Sequence, residues 1–152
     1  MSAEITTNRK ALRDYHILER FEAGVELKGT EVKSIRSGLV SLQGAFVRME
    51  GGNLCLCESS IQPYERASHE QHEAKRLRRL LMHRSEIDRL VGEIERSGHT
   101  VVALRMYWKN RRVKVELGLG KGKDAGDKRA DLKKRVTDRE TDRAIADFQR
   151  KR

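Results

Sequence analysis

The sequence predicts a mainly β fold, a small antiparallel barrel with flanking helices, followed from about residue 121 by a basic C-terminal tail that is disordered when free. Three observations predict it. Short runs of period-two alternation recur, the cleanest being "RVKVELGL", which puts Val113, Val115, Leu117 and Leu119 on one face and Lys114 and Glu116 on the other. Helical periodicity is strong in one segment, "SEIDRLVGEIERSG". After residue 120 the apolar residues thin to Leu132, Val136, Ala144, Ile145 and Phe148 among many charges, too few to order a short segment in water.

Taken in order, "YHILERFEAGVELKG" reads as a strand, a break at Gly24 and a second extended piece. "GTEVKSIRSG" reads as one or two helical turns, with Thr30 as N-cap, Glu31 in the first turn and Gly38 as terminator. "AFVRMEGGNLCLC" has the form of a hairpin, because Gly51-Gly52 supplies the positive φ of a tight turn. Pro63 closes that sheet segment, since it has no N–H for a ladder. "RASHEQHEAKR" is a polar loop, and "RRLLMHR" fits strand or helix. In the long helix Ser85 and Asp88 form a weak capping box, Ile87, Leu90, Val91 and Ile94 make the apolar face, and Gly98 ends it. "TVVALRMYW" and "RVKVELGL" are two strands joined across residues 109–111.

At 152 residues the chain is one domain by length, and 37% hydrophobic against 37% charged suits a compact body with solvated extensions. The net charge of +10 favours a polyanionic partner, because each cation that neutralises a phosphate releases a counterion. Apolar runs such as "TVVAL" are far short of the ~20 residues that span a bilayer, so no membrane partner is expected. The amino terminus lacks the apolar stretch of a secretory signal. Cys55 and Cys57, the only cysteines, point the same way on a strand and offer no disulfide framework, which makes a cytoplasmic location natural.

Catalytic motifs fail on spacing. In "HEQHE" the histidines at 69 and 72 are three apart, so H-E-x-x-H is absent, and Cys55 and Cys57 add a C-x-C tighter than zinc sites use. "GLGKGKD" lacks the P-loop spacing and the hydroxyl that would hold magnesium. Glu22, Glu31 and Asp127 lie on separate elements with basic neighbours, a poor basis for a metal-dependent nuclease. No cofactor, metal or enzymatic activity is expected.

The basic passages point to nucleic acid. Lys114 lies on the exposed face of a strand, and Lys121 and Lys123 flank Gly122 after Gly120, glycines that would let backbone approach phosphate. Asn8, Arg9 and Lys10, with Lys33 and Arg36 from "KSIRSG", add groups from other elements. No helix has the pattern of a major-groove reader, and a small barrel suits irregular or single-stranded RNA. With aromatics at 5%, shape and phosphate recognition should dominate over stacking.

"NRKALRDYHILERFEAGVELKGTEVKSIRSG", "RRLLMHRSEIDRLVG", "TVVALRMYWKNRRVKVELGLGKGK" and "DKR" resemble the bacterial SsrA-binding protein family, from about Asn8 to the carboxy terminus. The resemblance implies an OB-like β-barrel and binding to the transfer-RNA-like domain of transfer-messenger RNA (tmRNA). It implies a role in trans-translation, delivering tmRNA to the A site of stalled 70S ribosomes in place of an anticodon arm. Further implied partners are 16S ribosomal RNA and, through aminoacylated tmRNA, elongation factor Tu.

Position by position, Glu22, Leu81, Lys114 and Gly122 resemble RNA-binding positions. Phosphates repel a carboxylate, so Glu22 belongs there only as an acceptor from base or ribose donors, and otherwise as a surface ion pair. Leu81 reads chemically as a core or supporting contact. The tail resembles the family's ribosome-engaging extension, helical in the empty message channel. Asp127, Lys128 and Arg129 match "DKR", Lys133, Lys134 and Arg135 continue the basic stretch, and Ile145 and Phe148 give an apolar edge. Asp124 and Gly126 depart from the lysine and the ring the family commonly has there, and glycine cannot stack. A general RNA- or ribosome-associated basic protein is the alternative reading.

Overall fold

The computed structural model describes residues 2–63, 72–95 and 99–123, and beyond these Arg129, Lys133, Arg139, Glu140 and Arg143. The elements in chain order are β1 (Ser2–Thr7), α1 (Arg9–Asp14), β2 (Tyr15–Val25), α2 (Gly29–Arg36), β3 (Val40–Ser41), β4 (Phe46–Glu50), β5 (Asn53–Cys57), β6 (Ser60–Ile61), β7 (Arg78–Leu81), α3 (Arg84–Ile94), β8 (His99–Lys109) and β9 (Arg112–Gly122). β3 pairs with β6, and the other strands form a seven-stranded antiparallel sheet that closes through β8–β4–β5–β7–β2–β9 and back to β8. β1 stands outside this ring. It can do so because β8 is eleven residues long: β4 uses its edge at Val101 and Val102, and β1 uses the same edge from Arg105 to Lys109.

Period-two alternation fills the ring. Val113, Val115, Leu117 and Leu119 of β9 turn inward as expected, meeting Phe21, Ala23, Val101, Ala103 and Met106. Leu90 of α3 and Ile35 of α2 are buried against this core. Each fully buried aliphatic side chain contributes about 1.5–3 kcal/mol. A smaller cluster of Ala11, Val102 and Leu104, with Tyr15 and Ile17 against it, seats α1 on the outer surface. That seat needs glycine beneath it. A Cβ on Gly118 would come 2.8 Å from Leu104 Cδ1, and one on Gly120 would come 3.2 Å from Tyr15 Cβ.

The hairpin at Gly51-Gly52 forms as its sequence predicts, with φ of 56° and 81°. Several local expectations change. Gly24 is no break: β2 runs through it, paired with Leu81 on one side and Lys114 on the other. α2 starts two residues earlier than a Thr30 cap requires, with Lys28 as its N-cap, and Glu31 reaches back to the Lys28 N–H at 2.8 Å. α3 is capped at His83, so Ser85 lies inside the helix. "RRLL" is strand β7, decided by partners on both edges. β1 and α1 had no signal strong enough to be read from sequence. They depend on Asn8, whose backbone N–H donates to Leu104 O while its side chain caps α1.

The chain divides into two units, Met1–Gly122 and Lys123–Arg152. In the second, Arg129, Lys133, Arg139, Glu140 and Arg143 have helical backbone and are exposed, a conformation these residue types favour. Asp127, Lys128, Lys134, Arg135, Ile145 and Phe148 lie outside the described residues, as do Gly98, Asp124 and Gly126.

Candidate nucleic-acid interface

Register brings together residues far apart in sequence. Gly24 of β2 lies opposite Leu81 of β7 and Lys114 of β9, and Lys114 lies opposite Tyr107 of β8. With strands about 4.8 Å apart, these residues form one row across four strands. Their neighbours Val25, Leu80, Val113 and Met106 are buried in the core, so the row lies on the outer face of the sheet, where Gly24 and Tyr107 are covered, Lys114 is half-buried and Leu81 is open. Leu81 is 49% exposed, which removes the core alternative from its reading as a core or supporting contact. A Cβ on Gly24 would sit 3.3 Å from Leu81 Cβ and 3.6 Å from Lys114 Nζ, so the ammonium and the leucine flank a notch floored by backbone.

Glu22 lies on the same strand, two residues from the notch. Tyr107 donates its hydroxyl proton to Glu22 Oε2 at 2.5 Å, and Lys109 Nζ is 3.2 Å from both carboxylate oxygens. The tyrosine hydrogen bond, with the lysines nearby, holds the Glu22 carboxyl below its ordinary value despite partial burial. Directly opposite Glu22 is Glu116, a like-charge juxtaposition that would be unfavourable alone. Arg20 at 2.6 Å and Arg105 at 3.0 Å neutralise Glu116, and Arg105 packs 4.7 Å from the centre of the Tyr107 ring. The result is an ionised, oriented carboxylate. Of its roughly four lone-pair sites, Tyr107 and Lys109 occupy part, leaving capacity for outside donors.

Toward the β8–β9 turn the row opens into a pocket of about 340 Å³. Val25, Leu27, Val32 and Val113 make its apolar floor, Trp108 a wall, and Arg36, Arg111, Arg112 and Lys114 its rim. Acids hold many of the other cations: Arg20 and Arg105 on Glu116, Arg89 on Glu19, Arg76 and Arg78 on Glu31. None of the four rim cations belongs to an ion pair among the described residues. Four cations thus gather around one groove without an ion pair among the described residues, Lys114 with Glu22 nearby.

The other expected residues are dispersed. Asn8 is buried, its amide donating to Leu42 O at 2.8 Å and Ala103 O at 2.9 Å, so its side chain is occupied in joining α1 to the sheet. Arg9 and Lys10 are exposed on α1, and Lys33 on α2. Lys121 and Gly122 are exposed at the far end of β9, about 23 Å along the strand from Lys114. Of the glycines there, Gly120 serves packing under Tyr15, and Gly122 alone has open space around it.

Residues considered for chemistry have structural partners. Glu31 is fully buried between Arg76 and Arg78. His72 is buried, with Nδ1 2.9 Å from Thr30 Oγ1 and Nε2 2.8 Å from Ile61 O, while His69 lies outside the described residues. Burial pushes the Cys55 and Cys57 thiols up, away from the reactive thiolate. Among the described residues no three His, Cys, Asp or Glu side chains converge as a metal site would require.

Sequence reasoning missed Gly24, Tyr107, Trp108, Arg111 and Arg112. The only available signal was the alternation of "YWKNRRVKV", which places Tyr107 and Lys109 on one face without revealing what faces them.

The family model described as SmpB protein matches residues 5–147. An SsrA-binding protein of Carboxydothermus hydrogenoformans is 51% identical over 145 residues, 95% of this chain and 97% of the relative. One from Pelotomaculum thermopropionicum is 50% identical over 146 residues, 96% and 95% of the two chains. A solved chain from "tmRNA-SmpB: a journey to the center of the bacterial ribosome" superposes with a TM-score of 0.67 at 48% identity, covering 81% of this chain and 87% of that one.

Proposed function

The chain belongs to the SmpB family, and from that premise we propose that the outward row of Leu81, Gly24 and Lys114, with Glu22 beside it, is where it holds tmRNA. The protein is a tmRNA-binding factor of trans-translation and works on the stalled ribosome. The observation that carries the site is the convergence of Glu22, Leu81 and Lys114 on one face next to the uncompensated arginines. Lys114 and the rim arginines engage phosphates and set position. Leu81 offers an apolar contact to ribose or base, and the oriented Glu22 accepts from base or ribose donors, giving selectivity that charge cannot.

Arg9, Lys10, Lys33, Lys121 and Lys123 add general attraction for polyanion rather than registered contacts, and Gly122, open around its Cα, lets backbone approach phosphate. In the tail, Asp127, Lys128, Arg129, Lys133, Lys134 and Arg135, with Ile145 and Phe148, engage 16S ribosomal RNA in the empty message channel. Elongation factor Tu joins through aminoacylated tmRNA. On this reading the protein is a cytoplasmic binding factor whose surface positions RNA and performs no reaction.

The test is binding of the full chain to the isolated transfer-RNA-like domain across a salt series, with excess ordinary transfer RNA as competitor. Binding should survive the competitor, with a log–log slope of roughly −0.7 to −0.9 per phosphate contact. Binding erased equally by any RNA would return the protein to the class of general basic RNA binders.

A further inference from the structure

We propose that the pocket beside Lys114 is a subsite for one unpaired nucleotide of the bound RNA, and that Arg111 is held at its mouth as a phosphate ligand. The proposal rests on the reading above that this face binds RNA. It starts from the backbone of the β8–β9 turn. Lys109 pairs with Arg112, so only Asn110 and Arg111 form the loop, with φ of 51° and 63°. Both are left-handed, the two-residue turn that matches strand twist and favours glycine at its second position. Asparagine tolerates the first position. An arginine at the second pushes its Cβ toward backbone carbonyl oxygen, a cost glycine would not bear.

Among the described residues nothing offsets that cost. Arg111 has no hydrogen bond, ion pair or ring contact among the described residues. Its side chain instead lines the pocket with Arg36, Arg112 and Lys114. A strained residue without an internal partner, aimed at a cationic cavity, points to a ligand outside the chain.

The cavity's chemistry names the ligand. Its volume of about 340 Å³ is within the range of small-ligand pockets. An apolar floor and the Trp108 indole suit the faces of a base, and the arginines at the mouth suit its phosphate. The Arg36 guanidinium, 5.9 Å from the indole centre, already lies over that ring. Gly24 keeps one wall open. A paired, stacked base cannot enter such a site, so the ligand class is a splayed nucleotide from a loop or bulge.

Trp108 is the only tryptophan in the chain, so its emission reports on the pocket directly. The experiment titrates full-length wild type, R111G and K114A with the transfer-RNA-like domain of tmRNA at several salt concentrations. It records Trp108 fluorescence and, separately, thermal unfolding. Wild-type emission should change on binding. R111G should melt no lower than wild type yet bind about tenfold more weakly, with a salt slope smaller by about 0.7–0.9 and a reduced emission change. An R111G protein that binds as wild type, or weakens only in step with a lowered Tm, overturns the subsite. If K114A weakens binding while R111G does not, the subsite falls and the wider interface stands. If K114A also binds as wild type, or wild type fails to bind, both readings fall together.

Discussion

Glu31 and Arg78 form an ion pair withdrawn from water, each side chain 0% exposed, with Arg78 Nε 2.6 Å from Glu31 Oε2. The pair ties α2 to β7. Arg78 further donates to Ser59 O at 2.8 Å and Ala74 O at 3.0 Å, so one guanidinium gathers two connecting segments and α2. Removing Arg78 leaves the fully buried Glu31 carboxylate with only Arg76 and the Lys28 N–H, and takes the donor from the Ser59 and Ala74 carbonyls. Arg78→Met should therefore cost about 3–5 kcal/mol in chemical denaturation. A loss below about 1 kcal/mol would show that water reaches the pair.

The same pair sets an acid limit. Burial raises the Glu31 pKa, but hydrogen bonds from Arg76, the Lys28 N–H and Arg78 outweigh it and hold the carboxyl below its ordinary value of 4.5. A carboxyl depressed in the folded state contributes stability above its unfolded value and loses it as pH falls through the folded one. Stability should drop below about pH 4.5, and Glu31→Gln, less stable at neutral pH, should show a flatter acid profile. Parallel profiles for the two proteins would remove Glu31 from this role.

Tyr107 orients Glu22, and the two should act together in RNA binding. Tyr107→Phe keeps the ring beneath Arg105 but removes the donor, so the fold should persist while affinity for tmRNA falls severalfold. Glu22→Gln should weaken binding by about tenfold, and the double variant should be little worse than Glu22→Gln alone. Fully additive losses in calorimetric titrations would mean the residues work independently.

Two glycines separate packing from recognition. Gly118→Ala drives a methyl to 2.8 Å from Leu104 Cδ1 beneath α1 and should cost about 1–3 kcal/mol of stability. Gly24→Ala meets Leu81 Cβ at 3.3 Å and Lys114 Nζ at 3.6 Å, on the outer face of the sheet beneath those side chains, so its main effect should be a three- to tenfold loss of tmRNA affinity. The opposite pattern, with Gly24→Ala unfolding the protein and leaving affinity intact, would move the notch from the interface to the scaffold.

Deleting residues 130–152 should leave binding of the transfer-RNA-like domain nearly intact while abolishing peptide tagging in a reconstituted translation reaction. Loss of both activities together would contradict a division of labour between ring and tail.

Much of the framework was legible in local pattern. The alternation from Val113 to Leu119, the Gly51-Gly52 turn and the apolar face of α3 each depend on neighbours a few residues away. Misreadings came where a distant partner overrode local preference. Gly24 punctuates a sequence, yet strands on both sides carry β2 through it. Thr30 is a better isolated cap than Lys28, but Glu31 turns back toward Lys28 and is fixed there by Arg76 and Arg78.

The sequence by itself determined the basic surplus, the strand-rich body and the family, because charge sums over the chain and side-chain period is a local property. Only the tertiary structure decided which cations matter. Ring closure set the register that places Leu81, Gly24, Lys114 and Tyr107 side by side, and the acids then cancelled some arginines while leaving the rim of the Trp108 pocket uncompensated. Register depends on every strand at once, since slipping a strand by one residue would reverse its inward and outward faces.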